Sequence, residues 1–167
     1  MFERLHNPGE VFNYRLGAAL KMEREIVGTL DELIEEAHEQ QIKEALRTHQ
    51  AETREHVRRV EEVFRVCGWE VDDSPCPTVE ALAKEGKATI KKAEDPLVDG
   101  IILAGAIETE HHEMAVYEDL IIHAQATGHE EAVSLLRQNH EEERRALEKV
   151  ASLAQSTAGA SHVGATA

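Results

Sequence analysis

Aromatic side chains are nearly missing from this chain: three Phe, two Tyr and one Trp make up 4% of its 167 residues. β-Branched runs are scarce as well, so little in the sequence favours strands. Only four prolines occur, and neither Pro nor Gly stands between Gly28 and Cys67. Two cysteines, Cys67 and Cys76, are too few for a disulfide framework, and there is no C-x-x-C. Free thiols in a reducing compartment are the expected reading. No apolar run approaches the roughly 20 residues of a membrane span. The opening residues, MFERLHNPGEVF, lack the apolar core of a signal peptide. A cytoplasmic location is therefore expected. Basic residues are short: 18 Lys and Arg against 33 Asp and Glu leave a net charge of −15. Phosphates would be repelled, which argues against nucleic acid and anionic membranes as partners, whereas metal cations would be attracted.

What is present is helix composition. Ala, Leu, Glu, Lys and Arg dominate, and a 41% hydrophobic content is enough for a core. Pro8-Gly9 is read as closing a short arm, residues 1–9. From Glu10 a first helix carries Leu16, Leu20, Ile26, Val27, Leu30, Leu33 and Ile34 on one face. A break is placed at AHEQQ (37–41). A second helix then runs to about Val66, with Ile42, Leu46, Val60 and Val63 inside, and Gly68 stops it. WEVDDSPCP (69–77) reads as a loop, and 78–92 as a short helix. Asp95-Pro96 restarts the chain into a third long helix ending at Thr127-Gly128, with Ile102, Ala106, Met114, Tyr117 and Ile121 inside. A fourth runs from His129 to about Gln155. The small, polar tail, 156–167, is expected to be disordered.

Four long amphipathic helices predict an all-α four-helix bundle over 10–155. The short first and last connections make antiparallel hairpins. About thirty residues separate the second long helix from the third. That is enough to cross the bundle, carry the short extra helix and leave the two parallel, which is the ferritin-like arrangement.

The apolar stripes contain charged intruders. In the first helix the stripe 16, 20, 23, 27, 30 includes Glu23. In the second, 42, 46, 49, 52/53, 56, 60, 63 includes His49, Glu52 and His56. The third includes Glu110 and Glu113, and the fourth includes His140 and Glu143, with Glu142 beside it. A single Glu on a helix is more often solvated than buried. Four helices with inward Glu at matching depth are harder to ascribe to chance. A buried, unpaired carboxylate costs several kcal/mol, and too few Lys or Arg share these stripes to neutralise the set. Two divalent cations would balance Glu23, Glu52, Glu110 and Glu143, with neutral imidazoles completing the shell. Glu-x-x-His, the usual di-iron spacing, occurs at Glu35/His38 and Glu108/His111, but neither pair sits on a core stripe. The zincin pattern H-E-x-x-H is absent.

Several segments resemble one known family in order. HQAETREHVRRVEEVF (49–64) is similar to its H-x-x-E-T-x-x-Q-V-x-R-L-E-x-V-F, and PCPTVEALAKE (75–85) to its Cys-containing crossover segment. EHHEMAVY (110–117), LLRQNHEEE (135–143) and MEREIVGTL (22–30) match its remaining helices. The chain thus resembles the DUF892, YciF-like stress proteins of the ferritin-like superfamily over roughly 16–153. The resemblance implies metal-site roles for Glu23, Glu52, Glu110, Glu113 and one or both of Glu142 and Glu143. It also implies a homodimer or higher homo-oligomer. Where the family has Tyr, Gln, Tyr and Leu, this chain has Leu20, His56, His112 and His140. His56, and further His49 and His140, are candidate imidazole ligands, with Tyr117 a candidate hydrogen-bond or redox partner one turn beyond the ligands. Mixed N/O coordination suits iron above all, with manganese and zinc as alternatives. The expected function is dinuclear metal binding linked to stress, iron oxidation or peroxide and oxygen handling. The alternatives are a non-enzymatic dimeric stress protein and a plain acidic interaction module.

Overall fold

The computed structural model describes residues 4–164, with side chains to 158. The helices are α1 (Pro8–Glu36), α2 (Gln40–Val66), α3 (Pro77–Ile90), α4 (Val98–Ala126) and α5 (Glu130–Gly164), with one 3₁₀ turn, Asp95–Leu97, leading into α4. No strand occurs among the described residues.

The helix ends follow from local chemistry. The Asn7 side chain accepts from Glu10 N at 3.0 Å, and Pro8 occupies the first turn of α1. Proline there has its φ already set and lacks an N–H that would go unpaired. Pro8 and Gly9 thus belong to the helix and not to an arm. Gly68 and Gly128, at φ 73° and 77°, end α2 and α4. At each, the next two N–H groups fold back on the final turn: Gly68 to Arg65 and Trp69 to Phe64, Gly128 to Gln125 and His129 to Ala124. This paired closure requires a left-handed residue, which glycine adopts without a Cβ penalty. At the other terminus, α5 continues past Gln155 to Gly164, so the expected disordered tail is helical up to that point. No proline follows Pro96, and the Ala-rich run sustains the helix. Residues 165–167 of that tail lie outside the described residues.

The long helices are arranged as a square in which α1 packs on α2 and α4, and α5 packs on α2 and α4. Polar contacts give their directions. Arg15 meets Asp119 near one end of the α1–α4 pair, and Asp99 meets the α1–α2 turn at the other, so these helices are antiparallel. Pairing of His56 with Glu142 and of Arg59 with Asn139 sets α2 antiparallel to α5. It follows that α2 and α4 are parallel, joined by the long crossover that carries α3. The bundle expected from the sequence is the architecture found. The crossover lies close against α1 at Gly17, where a Cβ would sit 2.7 Å from Ser74 Oγ and 2.9 Å from its backbone N.

One buried acid belongs to the frame. Asp99 accepts from the N–H groups of His38 at 2.7 Å and Glu39 at 2.9 Å, tying the first hairpin's turn to the start of α4. Glu39, the N-cap of α2, makes no side-chain cap of its own. Asp99→Ala is expected to destabilise the protein by about 1–2 kcal/mol, read as a lower urea midpoint, with Asp99→Asn intermediate.

Candidate metal centre

Near the middle of the bundle the apolar core gives way to carboxylates and imidazoles. Glu23 of α1, His56 of α2, Glu113 of α4 and Glu143 of α5 are 0% exposed, Glu110 is 2% and His49 7%. Helical spacing explains how they meet. His49 and His56 lie two turns apart on one face of α2, and Glu110 and Glu113 lie one turn apart on α4. Their ligating atoms fall into two groups, each with all members within 4.8 Å of one another. One is His49, Glu110, Glu113 and Glu143; the other is Glu23, His56 and Glu143. Glu143 belongs to both.

The contacts inside each group are close. His49 Nε2 lies 3.0 Å from Glu110 Oε1 and 3.9 Å from Glu143 Oε2. His56 Nδ1 lies 2.7 Å from Glu143 Oε1 and 3.6 Å from Glu23 Oε2. Among the described residues, both oxygens of Glu113 lack a hydrogen bond, as do Glu143 Oε2, Glu23 Oε2, Glu110 Oε2 and His49 Nδ1. Buried polar atoms are almost always hydrogen-bonded, so a cluster of unpaired atoms of ligating type is what a metal site would leave. Four carboxylates balance two divalent ions. The donor set, oxygen-rich with two imidazoles, fits iron, manganese or zinc.

An outer layer supports this set. Tyr117 is fully buried; its hydroxyl donates to Glu23 Oε1 and accepts from Asn139 Nδ2 at 2.9 Å. Asn139 Nδ2 also reaches the His56 carbonyl, at 3.3 Å, and its Oδ1 accepts from Arg59 at 2.8 Å. Arg59 further donates to both oxygens of Glu142, at 2.6 and 3.1 Å. Glu142 Oε2 in turn lies 2.9 Å from His56 Nε2. With its Nε2 proton held by Glu142, His56 turns Nδ1 towards Glu143 and Glu23. Fixing the ring and tautomer of a ligating histidine is the usual task of such a carboxylate.

Electrostatics records the crowding of negative charge. Burial opposes protonation of His56, but Glu143 and Glu23 outweigh it and lift its pKa to about 11. His49 is likewise raised to about 9, with Glu110 overcoming burial. Burial and the neighbouring carboxylates push Glu113 well above its ordinary range. Glu143 rises to about 7, burial exceeding the help from His56. The Tyr117 hydroxyl is also raised, by burial and by Glu23. Burial works against the Glu142 carboxylate, yet Arg59 and His56 hold its pKa down.

Of the residues expected at the site, Glu23, His49, His56, Glu110, Glu113 and Glu143 converge. Glu52, Glu142 and His140 do not join either group. Thr53, not Glu52, takes the inward position on α2 and is fully buried. Glu52 is half-buried beside Arg145 and Lys149 of α5. The two positions differ by 100° around the helix, and the stripe allowed either. His140 turns to the rim of α4, with Nε2 3.5 Å from Glu118. Asn139 was missed by the sequence reading; its one signal is that it lies a helical turn before Glu143 on the same face.

Comparison with known proteins agrees with this architecture. Escherichia coli K12 protein YciF is 26% identical over 137 residues, covering 81% of this chain and 82% of that protein. The solved structure of the E. coli stress protein YciF superposes with a TM-score of 0.88 at 23% identity, over 93% of this chain and 99% of that one. YcfI from Rhodopseudomonas palustris superposes with a TM-score of 0.87 at 28% identity, over 90% and 96%. The family model described as a domain of unknown function, DUF892, matches residues 7–162. By that match, which spans nearly all of the bundle, the chain belongs to the DUF892 family.

Proposed function

We propose that this protein is a ferritin-like dinuclear metal protein that holds two divalent ions, iron foremost, and handles iron together with dioxygen or peroxide. The observation that carries the reading is the pair of buried ligand groups joined through Glu143, with the carboxylate oxygens of Glu113, Glu110, Glu143 and Glu23 that have no hydrogen-bond partner. His49, Glu110, Glu113 and Glu143 would hold one ion, and Glu23, His56 and Glu143 the other. Iron(II) held by these residues would supply the electrons for reducing dioxygen or peroxide. The chain's own part is to keep the site dry, to present carboxylates to a hard cation, and to fix His56 through Glu142. Tyr117 positions Glu23 by donating its proton to Oε1.

The test is an anaerobic titration of metal-free protein with iron(II), followed by air. About two ions per chain should bind tightly, and oxygen should be consumed as they oxidise. Tight binding without oxygen consumption would leave a metal-stabilised stress protein. No tight binding would sink the reading.

A second reading has one observation in its favour. His49 and His56, both raised in pKa, already stand at ion-pair distance from Glu110 and Glu143. Two imidazolium ions against four carboxylates leave two acids uncompensated, and these would have to take up protons. A metal-free structural cluster of this kind predicts a melting temperature indifferent to chelators.

A further inference from the structure

A cavity of about 70 Å³ lies beneath the crossover helix α3 and ends at His49, Glu110 and Glu113. Val79 is the one fully buried residue of α3, and Leu82 and Ala83 are half-buried over the space. Opposite them stand Ile26 and Leu30 of α1 and Ile102 and Ala106 of α4.

The polar residues along the wall are already engaged. Thr29 and Thr109 donate their hydroxyls to carbonyls of their own helices, Glu25 at 3.0 Å and Gly105 at 2.9 Å. Lys87 pairs with Glu32 at 2.7 Å. What remains is an apolar passage whose inner end is formed by metal-ligating groups.

Two glycines also line it, Gly86 of α3 and Gly105 of α4. Neither has the positive φ that would call for glycine, and a Cβ on either would meet no atom within 4 Å. Glycine inside a helix costs about 1 kcal/mol relative to alanine. Gly28 and Gly100 share that freedom, but on exposed surface. Gly86 and Gly105 are half-buried, where a side chain would narrow the passage.

We propose that this cavity is the route by which dioxygen reaches the Glu110–Glu113 face of the centre. Three features select that occupant. A cation or superoxide would lose its hydration in an apolar passage at a cost of many kcal/mol. Peroxide and water would find their hydrogen-bonding needs unmet along the walls. An engineered apolar cavity of about 150 Å³ accepts benzene, so one of half that size suits a diatomic gas and not an aliphatic chain. The proposal rests on the metal reading for its purpose, but its test does not need metal.

Dioxygen is paramagnetic and speeds the relaxation of nearby methyl groups. In the metal-free full chain under dioxygen pressure, the methyls of Ile26, Leu30, Ile102 and Ala106, all buried, should relax several-fold faster than those of Ala132 and Leu136, buried core residues outside the cavity wall. In metal-free Gly105→Leu the difference should vanish with the fold unchanged, and a separate sample of the variant should bind as much metal as the parent chain. Gly86→Leu fills the passage from the other wall if Gly105→Leu does not fold. Cavity methyls no faster than Ala132 and Leu136, or an enhancement that survives both filled variants, would overturn the route. Either result leaves the metal assignment standing, since that is decided by metal content.

Discussion

Glu143→Ala is expected to abolish tight binding of both metal ions. Glu143 is the one residue common to the two ligand groups, with His49 and Glu110 on one side and His56 and Glu23 on the other. Losing a shared carboxylate removes a donor from each ion and the negative charge between them. A supporting residue alone is worth about 10–100-fold in metal affinity, so a ligand to both ions should be worth at least the upper end of that range for each. Elemental analysis after exhaustive dialysis should find under one ion per chain. Glu110→Ala touches one group only and should retain the ion held by Glu23, His56 and Glu143. Glu52→Ala, outside both groups, should retain the full complement. About two ions retained by Glu143→Ala would remove the basis for a shared site.

The second large effect is a stabilisation by metal that grows with pH. In the metal-free protein Glu113 and Glu143 have pKa values raised from the ordinary 4.5, Glu143 to about 7. The folded state therefore binds more protons than the unfolded state from about pH 4.5 upward. Stability falls as pH rises wherever the folded state holds the extra protons. His49 and His56 act in the same direction. Their ordinary value is 6.5 and their folded values are about 9 and about 11. Their contribution is complete below pH 6.5 and is lost as pH climbs through the folded values. Both kinds of group thus weaken the metal-free fold between pH 5 and 9. Metal ions displace those same protons and bind better as pH rises. At a free metal concentration of 100 times Kd the stabilisation is about 2.7 kcal/mol, or roughly 5–10 °C in melting temperature for a chain of this size. The shift on adding metal should be small at pH 5.5 and reach that range by pH 8. Chelator should reverse it. A shift independent of pH, or none, would favour the protonated structural cluster.

The bundle was legible because its evidence is local and repeated. Stripes such as Leu16, Leu20, Ile26 and Leu30 need only helical periodicity, and Gly68 and Gly128 need only backbone geometry. Connection lengths then set the topology. Charges on an apolar stripe are equally visible, which is why Glu23, Glu110, Glu113 and Glu143 could be named as inward from the sequence and are buried in the fold. The protein's family membership was also present in its segments.

Other features needed three dimensions. A stripe fixes a helix face to within about one position, and adjacent residues differ by 100°. Choosing Thr53 over Glu52, or Glu143 over Glu142, depends on how far each helix is rotated about its own axis. That rotation is decided by packing against three neighbours at once. Packing also sends His56 Nδ1 towards Glu143 while Arg59 and Glu142 hold the other side of the ring. The passage under α3 belongs to no helix, since its walls come from all five and it exists only where they fail to fill the space between them. The sequence alone determined four helices and an excess of acid inside them; only the tertiary structure decided which acids face one another, because that is set by the joint rotation of the helices.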